Sequence, residues 1–380
     1  MKVMIAVTHL LGAGHLSRAV TLARAFSNAG HDVSVLSGGR AAPHLDMTGF
    51  SLVQAPSLAS DGTNFTRLLD EDGAPAGMGY LERRADQMVA ALRETCPDVL
   101  ITELFPFGRR ALSAEFLALL EAARELPNRP LILSSIRDIL APPSKPAKAT
   151  RADEILIDFY DGVLVHSDQN ITRLQESWPV SNRLEQFLNY TGYVAPFPAG
   201  KHPRGDGTGE VLVSAGGGSV GQAMFECALQ AAARSPLHWH LLVGGADRDA
   251  RIAALKELAG NLDVTIEAVR PDFREMLTGA AASVSMCGYN TALDLLQTGL
   301  PAVMVPFDDG GEVEQTLRSH SLASLPSAEV LASSDMNPVS MAEAVARVTK
   351  QGRRKTDGLK MDGAAQTVNI VERMLQGALT

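Results

Sequence analysis

Two rhythms of apolar and polar positions alternate along this chain. Short apolar runs of β type at residues 3–7, 32–36, 51–54, 98–102, 131–135 and 162–165 are followed by stretches with helical spacing. The first such stretch places Leu16, Ala19, Val20, Ala23 and Phe26 on one side, and residues 81–94 predict another helix. Residues 195–209, rich in proline, glycine and charge, interrupt the rhythm as a linker would. It then resumes with strand runs at 211–214, 241–245, 264–269, 283–286 and 302–305. Helical text carries Ala223, Cys227, Leu229 and Ala232, then Ala292, Leu295 and Leu296, then residues 341–350 and 364–376. Strands alternating with helices predict parallel, doubly wound sheets, one on each side of the linker. The expected division is therefore 1–195, a linker at 196–209, and 210–380. Residues 56–79 are polar and glycine-rich, and predict a long loop, either a binding loop or an unstructured insertion.

Composition narrows the function classes. With 380 residues both halves can build a core. A net charge of −9 with a fifth of the residues charged excludes a phosphate-backbone footprint, so nucleic acid is not expected as a partner. No apolar run reaches the roughly eighteen residues of a membrane span, and the opening turns polar too soon for a signal peptide. A soluble cytoplasmic protein is expected. Cys96, Cys227 and Cys287 lie far apart without metal-ligand spacing, which reads as reduced structural thiols.

The candidate chemistry sits where strand runs end. Residues 283–315 read as strand, glycine turn, helix, strand, and such a turn offers the free N–H groups of a helix amino terminus to an anion. Gly288, Asn290 and Thr291 form that turn, and Asp294 lies one helical turn on, in reach of a sugar hydroxyl beside a bound phosphate. The run 215–222, A-G-G-G-S-V-G-Q, repeats the device with Gly216, Gly217, Gly218 and Ser219. In the first half, Gly12, Gly14 and His15 follow the opening strand. His15 is either a general base, its ordinary pKa of ~6.5 leaving it neutral at pH 7, or a capping and packing residue. Arg18 orients a phosphate or covers the helix surface, the latter being favoured. Glu103, in T-E-L-F-P-F-G-R-R, is an acid/base or acceptor-binding group, or the ion-pair partner of Arg109 or Arg110. Phe105 and Phe107 form a small lipid-touching patch for weak membrane-surface contact, or plug a loop into the core. Asp138 and His166 end further strands. Asp272 reads as an N-cap, Asp308 and Asp309 as an exposed turn rather than a Mg²⁺ pair, and Arg353, Arg354, Lys355 and Lys360 as a solvated basic loop.

A glycine turn followed by T-x-x-D, then G-x-P, V-P and a late E-Q, resembles the nucleotide-sugar half of GT-B glycosyltransferases, particularly the MurG-like group, glycosyltransferase family 28. G-x-G-H-x-x-R resembles the first loop of that group and of related nucleotide-sugar hydrolases. T-E-x-F-P-F-G-R-R with the later S-I-R-D and L-V-H-S-D resembles a bacterial group of predicted glycosyltransferases. The resemblance implies an α/β GT-B fold of two Rossmann-like domains facing a central cleft, with a last helix that often crosses back to the first domain. It implies a metal-independent, inverting transfer, without cofactor, from a nucleotide-sugar donor, UDP-linked, to a hydroxyl acceptor that is a small molecule or lipid-linked. By the same resemblance, Asp294 grips the ribose, where the usual residue is Glu; Glu314 and Gln315 face the donor sugar; the base lies near Val269 or Arg270; and His15, with Glu103, does the proton chemistry. The loop at 56–79 would select the acceptor. Hydrolysis of the same donor, or nucleotide-sugar binding without turnover, remain the alternatives.

Overall fold

The computed structural model describes residues 1–10, 12–43, 45–61, 64–308 and 311–378. The chain divides into two compact units. One comprises Met1–Gln169, Arg173–Ala195 and Lys360–Thr380, the other Asn170–Thr172 and Pro196–Leu359.

In the first unit, strands β1 (Lys2–Val7), β2 (Asp32–Gly39), β3 (Ser51–Asp61), β4 (Asn64–Leu69), β5 (Val99–Glu103), β6 (Leu131–Arg137), β7 (Gly162–His166) and β8 (Leu188–Tyr190) form one sheet in the order β4-β3-β2-β1-β5-β6-β7-β8. All neighbours are parallel except β3 and β4. Helices α1 (Gly14–Asn28), α2 (Met78–Thr95), α3 (Ser113–Glu125), α4 (Pro146–Phe159) and α5 (Asn182–Glu185) make the connections. Side chains alternate across a strand, and β1 shows why its text is uniformly apolar. Met4 and Ala6 join the core that includes Leu92, Phe116 and Leu156, whereas Val3, Ile5 and Val7 join the core on α1. Both faces of the sheet are covered.

Residues 56–79 do not form the expected long loop. β3 runs on to Asp61 and pairs antiparallel with β4, Ala59 opposite Leu69 and Ser60 opposite Leu68. Leu58 and Leu68 are buried in the core, and the Asp70 carboxylate closes the following turn by accepting from the N–H groups of Asp72 and Ala74 at 3.1 and 2.9 Å. Short apolar text without regular alternation hid this pair. Behind it, fully buried Arg84 makes a bidentate pair with Glu115, at 3.1 and 3.0 Å, and donates to the carbonyls of Gly38 and Pro56.

In the second unit, β9 (Val211–Ser214), β10 (Trp239–Val243), β11 (Val264–Ala268), β12 (Ala282–Ser285), β13 (Ala302–Met304) and β14 (Ala328–Val330) form an all-parallel sheet ordered β11-β10-β9-β12-β13-β14. This is the strand order of dinucleotide-binding folds. Helices α6 (Gln222–Ala232), α7 (Arg248–Ala259), α8 (Phe273–Gly279), α9 (Tyr289–Thr298), α10 (Glu314–Leu322) and α11 (Pro338–Gln351) flank it. The last helix, α12 (Gly363–Ala378), belongs to the first unit. Val368, Ile370 and Val371 enter the core on α1, and Glu372 meets His31 at 3.0 Å.

Of the basic cluster, Lys355 and Lys360 are exposed as a solvated loop would have them, whereas the two arginines also hold backbone carbonyls. Arg353 donates to the carbonyls of Leu277, Ala280 and Thr298, and Arg354 to those of Leu295 and Leu300, satisfying the ends of α8 and α9. All three cysteines are free thiols. Among the described residues no helix is long and apolar enough to cross a membrane.

Candidate functional site

Each sheet grows outward in both directions from its first strand, so each has a point where consecutive loops diverge at the strands' carboxyl ends. Ligands of open α/β sheets bind at such points. In the first unit it lies between β1 and β5, whose register pairs Ala6 with Thr102. The loop after β1 delivers His15 as the second residue of α1, and β5 ends on Glu103. Position in the topology, not in the text, therefore brings these two together.

His15 Nδ1 lies 2.9 Å from Glu103 Oε1, and its side chain retains 17% exposure. It does not cap the helix, since Ala13 occupies that position. Arg18 is buried rather than on the surface. Its guanidinium donates to the same Glu103 oxygen and sits 3.3 Å from His15 Nδ1. Thus the cation facing Glu103 is Arg18, not Arg110, while Arg109 adds positive potential nearby. Burial, reinforced by Arg109 and Arg18 against the pull of Glu103, pushes the His15 pKa down to about 3. Burial alone would raise the Glu103 carboxyl. Arg18, His15 and Ser135 reverse that and hold it below the usual carboxylate range. The arrangement is a neutral imidazole backed by a buried carboxylate, with Nε2 as the ring nitrogen turned away from that carboxylate.

Behind Glu103 the strands line up further polar groups. Ser135 on β6 is the register partner of Glu103 and its Oγ lies 2.6 Å from Oε2. His166, ending β7, is fully buried with Nε2 3.0 Å from Ser135 Oγ and Nδ1 2.9 Å from Thr191 Oγ1. Asp138 is buried as well. Phe105 and Phe107 are no surface patch. Phe105 stacks on Phe116 and Phe107 packs edge-on against Trp178, both inside the core, so the lipid reading of this segment falls.

In the second unit the switch point lies between β9 and β12, and Ser285 is paired with Ser214. The two glycine turns are consequently neighbours. Gly216 has φ +81° and the N-cap Gly221 has φ +82°, where other residues strain. Gly217 and Gly218 need no such excuse: a Cβ there would meet no protein atom closer than 3.8 Å. Neither internal sterics nor backbone angle explains these two glycines, whereas close approach of a ligand to bare N–H groups would. Ser219 spends its hydroxyl on Asp247, whose carboxyl is held low by that bond. Neither α6 nor α9 has a side-chain cap, leaving amide donors at both amino termini. At α9, Gly288 is the N-cap, and Asn290 and Thr291 lie in the first turn.

Asp294 is mostly buried, and burial raises its pKa although Arg274 Nε donates to Oδ1 at 2.7 Å. Arg274 itself is pinned by Gln297 Oε1 and the Phe197 carbonyl. Gln315 Oε1 accepts from Phe307 N at 3.2 Å, leaving its amide nitrogen as the donor, and Glu314 opens α10. The Arg270 guanidinium is bound by Asp272 and Asp206, at 2.6 to 2.8 Å. Asp272 occupies the N-cap position of α8 but its side chain does not cap. Its carboxylate goes to Arg270 and His202 instead, which hold its pKa below the usual range. Val269 N–H is already bonded to the Val243 carbonyl.

His202, Asp206 and Asp272 have metal-ligand composition and lie together. However, Arg270 already supplies the cation. His202 Nδ1 accepts from the N–H groups of Asp206 and Arg204, so its proton sits on Nε2, facing Asp272. Asp308 accepts from Ser333, and Asp309 lies outside the described residues. Sequence reasoning missed Ser135, Arg274 and the pair Gly244 and Gly245. A Cβ on Gly244 would come within 2.2 Å of the Gly216 carbonyl, and one on Gly245 within 2.4 Å of Ser219 Oγ, so these glycines support the first turn from below. The doubled glycine ending β10 was the available signal.

Residues 212–374 match the glycosyltransferase family 28 C-terminal domain. A curated relative, the UDP-N-acetylglucosamine--N-acetylmuramyl-(pentapeptide) pyrophosphoryl-undecaprenol N-acetylglucosamine transferase of Brucella suis biovar 1 (strain 1330), is 28% identical over 174 residues, covering 42% of this chain and 46% of the relative. The match thus spans about half of that relative's length. Among solved structures, MurG of Acinetobacter baumannii superposes with a TM-score of 0.65 at 15% identity over 98% of this chain and 99% of that one. The glycotransferase of kitacinnamycin gives 0.66 at 20% identity over 98% of each.

Proposed function

We propose, from the premise that this chain is a MurG-like protein of GT-B glycosyltransferase fold whose residues 212–374 are a glycosyltransferase family 28 C-terminal domain, that it transfers a sugar from a nucleoside-diphosphate donor to a hydroxyl acceptor. The observation that carries this reading is the pairing of half-buried His15 with the buried Glu103 carboxylate at 2.9 Å. The acceptor oxygen attacks the anomeric carbon as its proton passes to His15 Nε2. Glu103 stabilises the imidazolium formed only at that moment, in the manner of other carboxylate-backed histidines. The anomeric carbon–oxygen bond breaks with its electron pair going to the diphosphate. A single displacement inverts that carbon.

The leaving charge is met by the N–H groups of Gly216 to Ser219 and by the amino terminus of α9 at Gly288 to Thr291, which act without metal. Asp294 offers Oδ2 to a ribose hydroxyl, and Gln315 its amide nitrogen to the donor sugar. UDP is the proposed nucleotide, on the printed name of the Brucella relative.

The test is release of free nucleoside diphosphate from UDP-, GDP-, dTDP- and ADP-sugars, with and without cell extract as acceptor source, in EDTA, for wild type and His15→Ala. Release that requires extract and is lost in His15→Ala supports transfer. Release without extract, unchanged by it, would make the protein a hydrolase. Donor binding without release under any condition would overturn both enzymatic readings, and activity abolished by EDTA would overturn metal independence.

A further inference from the structure

The mechanism above makes no use of His166, although it is fully buried and sits three side chains away from His15 along the sequence of contacts Thr191, His166, Ser135, Glu103. Proton counting gives this row a direction. The Ser135 hydroxyl has one hydrogen and faces both Glu103 Oε2 at 2.6 Å and His166 Nε2 at 3.0 Å. An ionised Glu103 can only accept, so the Ser135 hydrogen points to it. Ser135 Oγ must then accept from His166, which requires the proton on Nε2, and leaves Nδ1 to accept from the Thr191 hydroxyl at 2.9 Å.

The same heavy atoms admit the reverse direction. Thr191 would turn its hydrogen to the Gly192 carbonyl at 2.7 Å, His166 would carry its proton on Nδ1, and Ser135 would donate to Nε2. That places two oxygens, one of them charged, face to face at 2.6 Å without a hydrogen between them, whereas the first direction leaves only an uncharged pair so, Thr191 Oγ1 and the Gly192 carbonyl at 2.7 Å. The Glu103 charge therefore selects the first direction, and a neutral His166 in that tautomer cannot let Ser135 turn away. Burial, aided by Arg18, keeps His166 neutral by pushing its pKa down to about 3. The charged groups facing the row are Arg18 from α1, Arg109 from the turn after β5, and Arg137 at the end of β6 beside Arg109.

We propose that Ser135 and His166 are positioning residues: they fix the hydrogen bonding of the Glu103 carboxylate and through it set how strongly that carboxylate draws the His15 Nδ1 proton. This rests on the reading of His15 as the base. A Glu103 carboxylate with one donor fewer concentrates its charge on His15 and Arg18, and the His15–Glu103 hydrogen bond tightens.

The measurement is two-bond ¹H–¹⁵N correlation NMR of the full chain with ¹⁵N-histidine at neutral pH, signals being assigned by His15→Gln and His166→Gln. The expected result is His166 with its proton on Nε2 and an unprotonated Nδ1. Ser135→Ala should move the His15 Nδ1 proton downfield. Ser135→Thr, which keeps the hydroxyl, and His166→Gln, whose amide nitrogen replaces Nε2 as donor, should leave it in place and also guard against a folding artefact. His166 protonated on Nδ1, or an unmoved His15 signal in Ser135→Ala, overturns the proposal. In turnover, Ser135→Ala should move the limb of the pH–rate profile set by His15 to higher pH, because a more strongly drawn Nδ1 proton makes Nε2 more basic, and Ser135→Thr should restore it. If the NMR changes occur without any effect on turnover, the positioning role stands and the reading of His15 as base fails.

Discussion

Acidification should weaken the first unit at pH values where ordinary carboxylates are still ionised. His15 and His166 are both neutral in the fold with pKa values pushed down to about 3, first by burial. In the unfolded chain each titrates near 6.5. Below that value the unfolded state binds up to two more protons than the folded one, so stability is complete above about pH 6.5 and falls as pH drops toward 3. The slope is about 1.4 kcal/mol per pH unit per histidine, or roughly 5 kcal/mol for both between pH 6.5 and 4.5. That is comparable with the entire stability of a small domain, about 5–15 kcal/mol. Glu103 adds to this only at lower pH: its depressed pKa gives stability that is present above the unfolded value near 4.3 and lost below it.

The chain offers a clean probe, because its two tryptophans are divided between the units, Trp178 in the first core and Trp239 in the second. Urea unfolding of Trp239→Phe, followed by Trp178 fluorescence at pH 6.5, 5.5 and 4.5, isolates the first unit. Adding His166→Gln should roughly halve the pH slope. A slope identical with and without His166 would show that this histidine is not held neutral, and would refute the reasoning.

Two further outcomes follow from the geometry. Gly244→Ala puts a Cβ within 2.2 Å of the Gly216 carbonyl and displaces the first glycine turn, so affinity for UDP measured calorimetrically on the folded variant should fall at least about tenfold; unchanged affinity would remove that turn from the donor site. Glu115→Gln strips the charge facing fully buried Arg84 and should cost about 3–5 kcal/mol in urea unfolding of the first unit, with an effect below about 1 kcal/mol showing that Arg84 is satisfied by the Gly38 and Pro56 carbonyls alone.

Much of this protein was legible in its text. Strands buried on both faces read as continuous apolar runs, so β1, β9 and the alternating helices stood out, and glycines ending β9 and β12 marked the turns that now lie side by side. The second strand of the β3–β4 pair did not, because its buried Leu68 lies in short text of mixed polarity without alternation, and the three-residue strands β8 and β14 are too short for a period. Nor could the text identify partners. Arg18 read as surface, yet grips Glu103 across 85 residues, and Asp294 read as facing a sugar hydroxyl, yet also meets Arg274. Local sequence determines periodicity, turn chemistry and which residue types end each strand, since these are properties of neighbours along the chain. Which side chains share a carboxylate, which way Ser135 and His166 pass their hydrogens, and whether an imidazole stays neutral depend on strand order and burial, and these exist only once the sheet has assembled.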